Sequence, residues 1–324
     1  LASGNTRLLP YIIPHSITFA TKATRFMTPE PRHPEAHSKT STTNLNFKAF
    51  VSDDGWQGLV NNDWEDILDI KSIDEWMARQ DQESLKDVPC RIILKASTKG
   101  GIVYTKYMRA QNDGVIKKRE IFPKIKWTLS PSRALRILNT TAKMISLGHL
   151  APTPVLAARK RMKFGYPHEI FIAEEVALDT AEDIFYKASD NQKLELMEFC
   201  GKTLAKLHRD GFIHGDYLPR NICPDAKRNA MVYLDNDRTK FHRINMPFFL
   251  KRRNLAQFSF NLYLLAENPA ENCVKSLVLA YGDELGWKQA KVDGETNTIL
   301  RQVAKRWEKT KFAELKRKHL AENR

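Results

Sequence analysis

Cysteine is scarce in this chain: four in 324 residues, at positions 90, 200, 223 and 273. They are scattered without ligand spacing, which excludes a disulfide framework and a zinc site and suits a reducing compartment. No run of eighteen apolar residues occurs, so no transmembrane helix is expected. Neither a zinc-finger, a helix-turn-helix nor an RNA-binding aromatic pattern is present, which argues against nucleic acid as a partner. Acid is missing from the start of the chain, where Glu30 is the first carboxylate. Residues 1–46 are rich in Ser, Thr and Pro, and a disordered tail is expected there. Pro10 and Pro14 interrupt its one apolar patch, against a secretory leader. An organellar transit peptide is the lesser reading, and Met27 is a candidate start.

What is present points to a globular protein with a basic surface. Hydrophobic residues make up 42%, enough for a sizeable core in one or two domains. The net charge is +14. A surface of that sign attracts anionic lipid headgroups, phosphorylated substrates or nucleic acid. Charge alone therefore names no partner.

The most specific pattern is His214-Gly215-Asp216 followed by Asn221, then a strand-like run Met231-Val232-Tyr233-Leu234 ending at Asp235. Leu194, Met197, Cys200, Gly201, Leu204, Ala205 and Leu207 recur before it at helical spacing, and Gly211 is a plausible helix stop. This order, H-x-D-x-x-x-x-N and then a strand-borne Asp, is that of the kinase-like phosphotransferases. Phosphoryl transfer needs a positioned hydroxyl and neutralised phosphate charge. Asp216 suits the orientation and deprotonation of an acceptor hydroxyl. Mg²⁺ prefers oxygen and keeps several waters, so the amide oxygen of Asn221 and the carboxylate of Asp235 suffice as protein ligands. His214 reads as a structural residue of the loop.

The sequence resembles the lipopolysaccharide core kinases, the Kdo and heptose kinases, over roughly residues 50–265. His214-Gly215-Asp216 with Asn221 resembles their catalytic loop. Asp235-Asn236-Asp237-Arg238 resembles their D-F-D-R turn. Ser130-Pro131-Ser132-Arg133-Ala134-Leu135, running to Ser146-Leu147-Gly148 and Pro152-Thr153-Pro154, resembles their helix and the entry to the next strand. Val103-Tyr104-Thr105-Lys106-Tyr107 resembles the strand that bears a phosphate-anchoring Lys. The resemblance implies an α+β, bilobal protein-kinase-like fold, with a small antiparallel-sheet lobe and a mainly helical C-terminal lobe. It implies ATP and Mg²⁺ as cofactors, with Lys106 on the phosphates. A hinge follows the strand around His168–Ala173, and the resemblance alone puts Glu174 and Val176 against adenine. The acceptor it implies is a lipopolysaccharide core sugar or related glycolipid, met in the bacterial cytoplasm on the inner face of the inner membrane. The lobes are expected over 47–175 and 176–324.

Several features depart from protein kinases. Leu218 stands two residues after Asp216 where a Lys is usual, Gly215 replaces an Arg, and no A-P-E follows Asp235. These favour a small or glycolipid hydroxyl over a protein acceptor. No glycine-rich loop is evident: Thr98-Lys99-Gly100-Gly101 reads as a hairpin turn, and the expected loop near Leu85–Pro89 has no Gly. The helix Ser132–Ser146 has no acid to pair with Lys106, leaving Asn139 or Glu120 as substitutes. The alternatives are therefore a small-molecule kinase of aminoglycoside or choline type, or a non-catalytic pseudokinase-like binding module. Two further segments are open. Trp56–Arg79 is expected as an extra helical element on the small lobe. The basic stretches Phe248–Phe258 and 297–322 are either packed helices or docking surfaces for an anionic glycolipid or membrane.

Overall fold

The computed structural model describes residues 45–88, 90–109, 130–162, 166–244, 246–266 and 270–322, with side chains through 310. All lie within one unit, residues 42–324. Nearly all of the expected tail falls outside the described residues, as does Glu120.

The first part of the chain builds one antiparallel sheet. Its strands are β1 (Phe47–Val51), β2 (Gln57–Asn61), β3 (Glu83–Val88), β4 (Arg91–Thr98), β5 (Gly101–Met108), β6 (Pro154–Lys160) and β7 (His168–Glu174). They are ordered β1-β2-β6-β7-β5-β4-β3. The turn at Lys99-Gly100 joins β4 to β5 as a hairpin, with Thr98↔Gly101 as the last pair. The glycines expected to turn there do so, and Gly100 lies against Ile67 and Trp64.

Side chains alternate across the sheet, so each face has its own cover. One face carries Val103, Leu156, Ala158, Ile170 and Ile172, packed with Trp56, Trp64 and Trp76. The two short helices α1 (Glu65–Leu68) and α2 (Ile73–Ala78) bring Trp76 and its neighbours there. Trp76 Nε1 donates to Thr105 Oγ1 at 3.0 Å, which satisfies its polar edge. The expected helical element over Trp56–Arg79 is thus only partly helical, because Gln57–Asn61 pairs as β2. Gly58 permits that pairing: a Cβ there would lie 2.0 Å from the Ala157 carbonyl oxygen. The other face carries Met108 and Ala157 against α3 (Arg133–Ser146), through Ala134, Ile137 and Leu138. Lys106 shares the face of Met108.

Helices dominate the rest. They are α4 (Ala181–Lys187), α5 (Asp190–Arg209), α6 (Phe248–Leu265), α7 (Glu271–Glu284) and α8 (Gln289–Glu322). Between α5 and α6 lie four short strands, β8 (Phe212–Ile213), β9 (Ile222–Asp225), β10 (Ala230–Tyr233) and β11 (Lys240–Phe241). Capping boxes at Thr180/Asp183 and Ser189/Gln192 start α4 and α5. The stripe Met197, Cys200, Leu204 and Leu207 is fully buried in a core shared with Leu255, Phe258, Leu277 and Tyr281. Gly211, at φ +89°, takes the left-handed turn after α5.

Both basic stretches are helical, and each packs part of its length. α6 buries Asn254, Leu255, Ala256 and Phe258. α8 starts eight residues earlier than 297 and buries Val292, Ile299 and Val303, while Arg301, Lys305 and Arg306 are exposed. Arg252 of α6 is joined to Glu295 of α8 by two hydrogen bonds of 2.7 Å. No described helix is long and apolar enough to cross a membrane.

Candidate active site

The site is assembled on the segment that follows α5. β8 is buried and leads into His214-Gly215-Asp216, and a 3-10 turn at Pro219–Asn221 ends the loop. The hairpin β9–β10 then delivers Asp235. Asp235 adopts the left-handed conformation, φ 48° and ψ 57°, which Asp tolerates better than most residues. A second 3-10 turn, Asn236–Arg238, follows. Asn236 holds it by donating to the Tyr233 carbonyl at 3.0 Å and accepting from Thr239 at 3.1 Å.

Three hydrogen bonds bind loop and turn into one body. His214 Nε2 lies 2.8 Å from the Leu234 carbonyl oxygen. A carbonyl only accepts, so Nε2 carries the proton. Leu234 N–H donates to the Asn221 carbonyl at 2.8 Å. Asn221 Nδ2 donates to the Asp216 carbonyl at 2.9 Å. That last bond uses the amide nitrogen and leaves the amide oxygen as the atom a hard cation would take.

Lys106 closes the site from the sheet. Its Nζ lies 2.8 Å from Asp235 Oδ1 and 2.6 Å from Asp237 Oδ2, across 129 and 131 residues of chain. Burial pushes the Asp235 carboxyl up, but Lys106, by charge and hydrogen bond, and Arg91 outweigh this and hold it below the ordinary value. Asp216 is half-buried, with Arg238 at 3.6 Å from Oδ1. The structure therefore brings Lys106, Asp216, Asn221 and Asp235 together. Glu174 and Val176 are not in this cluster. They lie at the end of β7, beyond Phe171, the register partner of Lys106. The Glu174 carboxylate accepts from Trp64 Nε1 at 2.7 Å.

Sequence reasoning missed five contributors. Asp237 is buried and also accepts from Arg133 at 2.8 Å, with Arg91 at 3.9 Å. It occupies the role sought in Asn139, which is exposed on α3. Gly215 lies directly under the turn: a Cβ there would sit 2.0 Å from Arg238 Cβ and 2.5 Å from its carbonyl oxygen. Gly215→Ala is therefore expected to part the loop from the turn and lower kcat about 100-fold, with a melting loss of about 1–3 kcal/mol. Unchanged kcat would contradict that packing argument.

Asn254 is the fifth. Its Nδ2 donates to the His214 carbonyl at 2.7 Å, and its Oδ1 accepts from His208 Nε2 at 3.0 Å. His208 Nδ1 then accepts from Tyr281 at 2.8 Å. This wholly buried chain anchors the loop to α5 and α7. Burial drives His208 down to about 3, against the Asn254 hydrogen bond, which raises it. Burial lowers His214 as well. The unfolded chain thus takes up protons below about 6.5 that the folded chain refuses. Stability is expected to be full above pH 6.5. Between there and about pH 3 it should fall by about 1.4 kcal/mol per pH unit for His208, with His214 adding to the slope. Thermal melts from pH 7 to 5 check this, and an unaltered slope in His208→Gln would remove His208 from the account.

Among the described residues no cluster of three or more His, Cys, Asp or Glu forms a metal cage. Mg²⁺ does not require one, since one or two protein oxygens plus phosphates complete its shell. The Asn221 amide oxygen and the Asp235 carboxylate fit that ion.

Among curated proteins no sequence match is found. Solved structures that resemble the chain include the following two. "WaaP in complex with acyl carrier protein" has a TM-score of 0.51 at 14% identity, covering 81% of this chain and 98% of that one. The bifunctional kinase-methyltransferase WbdD has a TM-score of 0.38 at 14% identity, covering 66% of this chain and 47% of that one. The first likeness supports the kinase-like α+β fold. The sequence pattern of the Lipopolysaccharide kinase (Kdo/WaaP) family matches residues 96–281, more than half of the chain. The chain belongs to that family, and is a kinase of lipopolysaccharide core biosynthesis with a sugar as acceptor.

Proposed function

We propose that the chain transfers the γ-phosphate of ATP to one hydroxyl of a lipopolysaccharide core sugar, with Asp216 as the base. The observation that carries this reading is Lys106 Nζ at 2.8 Å from Asp235 Oδ1, which sets a strand cation beside the carboxylate that ends β10. Asn221 and Asp235 would hold Mg²⁺, which supplies neutralisation of charge on the phosphate oxygens. Lys106 would bind the phosphates, and Asp216 would orient the sugar hydroxyl in line and take its proton. The N–H groups of Glu174 and Glu175 are engaged by Thr153 and Ile102. In this reading, by the family resemblance alone, Glu174 and Val176 of the linker would face adenine.

The acceptor side supports an amphiphilic anion at a membrane surface. Just past the Asp235 turn, Phe241, Arg243, Ile244 and Phe249 are all exposed, Ile244 at 79%. Apolar groups set among cations suit a lipid-linked, phosphorylated sugar on an anionic leaflet. In this reading the reaction takes place on the cytoplasmic face of the inner membrane.

The test is transfer of labelled γ-phosphate in the presence of Mg²⁺. The acceptors are core glycolipid in anionic vesicles, the delipidated core oligosaccharide, and a panel of aminoglycosides and choline. Labelling of the vesicle-borne glycolipid, faster than of the free oligosaccharide, is the expected result. Labelling only of small amines would move the chain to the aminoglycoside or choline type. Nucleotide binding without any transfer would favour a binding module.

A further inference from the structure

Three cations and two carboxylates occupy one corner of the cleft. Lys106 Nζ is 2.6 Å and Arg133 2.8 Å from Asp237 Oδ2, and Arg91 approaches the same oxygen at 3.9 Å. Lys106 also reaches Asp235. The corner holds one positive charge more than these carboxylates balance. Each guanidinium has five N–H donors, and the recorded bond of Arg133 uses one. Arg91 and Arg133 side chains are 28% and 31% exposed, so they are not sealed off from solvent.

Their places in the chain are informative. Arg91 opens β4 directly after the β3–β4 turn, where a kinase has its phosphate-covering glycine loop. Between Val88 and Arg91 the sequence reads Pro89-Cys90, without glycine and with a proline that has no N–H to donate. Arg133 opens α3, the helix without an acid. Its position is fixed by buried contacts: Glu169, wholly buried on β7, accepts from Ala134 N–H at 3.0 Å. Ser132 caps the same helix through Leu135 N–H. The usual polarity is reversed, with the helix supplying a cation and the metal turn the acid.

We propose that Arg91 and Arg133, with Lys106, form a side-chain clamp for the polyphosphate of the nucleotide, in place of the backbone amides of a glycine-rich loop. Asp237 keeps the three heads assembled before the nucleotide arrives. Guanidinium suits this task because it binds phosphate oxygens in pairs. The clamp rests on the reading of ATP as the donor given above.

The test compares adenosine, ADP and ATP binding by calorimetry, with Mg²⁺, to the wild type, Arg91→Ala, Arg133→Ala, Arg133→Lys and Arg136→Ala. Arg136 is exposed on the same helix and serves as the control. Each Ala variant of the clamp is expected to weaken ATP roughly 10-fold or more, ADP less, and adenosine not at all. Arg133→Lys should restore part of the loss, and KM for ATP should rise more than KM for the acceptor. Equal losses for adenosine and ATP would make the residues merely structural and overturn the clamp. So would ATP affinity unchanged in both Ala variants. A wild type that binds no nucleotide would instead refute the donor reading, and the clamp with it.

Discussion

Asp216→Asn should lower kcat roughly 10²–10⁴-fold, the range for loss of a positioned general base, with MgATP affinity and melting temperature nearly unchanged. Asn keeps the shape of the side chain, and it retains a carbonyl oxygen that can still orient a hydroxyl. It loses the ability to take the proton. The scaffold around it does not depend on the carboxylate. The loop is held by the Asp216 backbone carbonyl, through Asn221, and by His214 and Asn254. The side chain's ion pair, to Arg238 at 3.6 Å, is long and partly exposed, and worth little. Single-turnover transfer to the glycolipid, beside nucleotide calorimetry, separates chemistry from binding. Transfer at the wild-type rate would remove Asp216 from the base role.

Much of this site is legible in the sequence because its parts are local. Five residues separate Asp216 from Asn221, and β10 runs straight into Asp235. Helix spacing, a glycine stop and an apolar strand are visible without a fold. The contributors that were missed are those defined only across the cleft. Nothing near Asp237 marks it as the partner of Lys106, 131 residues away, or of Arg133, 104 residues away. Gly215 reads as a departure in the sequence, but its cause is the contact with Arg238 that only the folded turn creates. Asn254 reads as an ordinary polar position on a basic helix until α6 is seen to pass under the loop. The β1–β2 hairpin was missed for another reason: Trp and acid around it read as helix, whereas pairing with β6 decides for strand. The early start of α8 is similar, since Val292 becomes a core residue only when α6 and α7 are in place.

The second large effect is expected at Asp235. Asp235→Ala should remove Mg²⁺-dependent turnover, a loss on the order of 10³-fold or more, since the ion supplies several kcal/mol of charge stabilisation. The variant should fold. Its turn is fixed by the Asn236 bonds to Tyr233 and Thr239, and Lys106 keeps Asp237 at 2.6 Å. Alanine is less tolerant of the left-handed backbone at φ 48°, so a modest melting loss is expected as well. The diagnostic is the metal titration rather than the rate alone. In the wild type, Mg²⁺ should tighten ATP binding and switch on transfer. In Asp235→Ala it should do neither at any concentration, while ATP without metal binds both proteins alike through Lys106 and its neighbours. Asn221→Ala should give the same pattern more weakly, because a neutral amide oxygen holds a dication less strongly than a carboxylate. If Asp235→Ala kept the wild-type Mg²⁺ response, the metal would have to sit elsewhere. Asp237, the buried carboxylate of the corner, would then be the residue to change next.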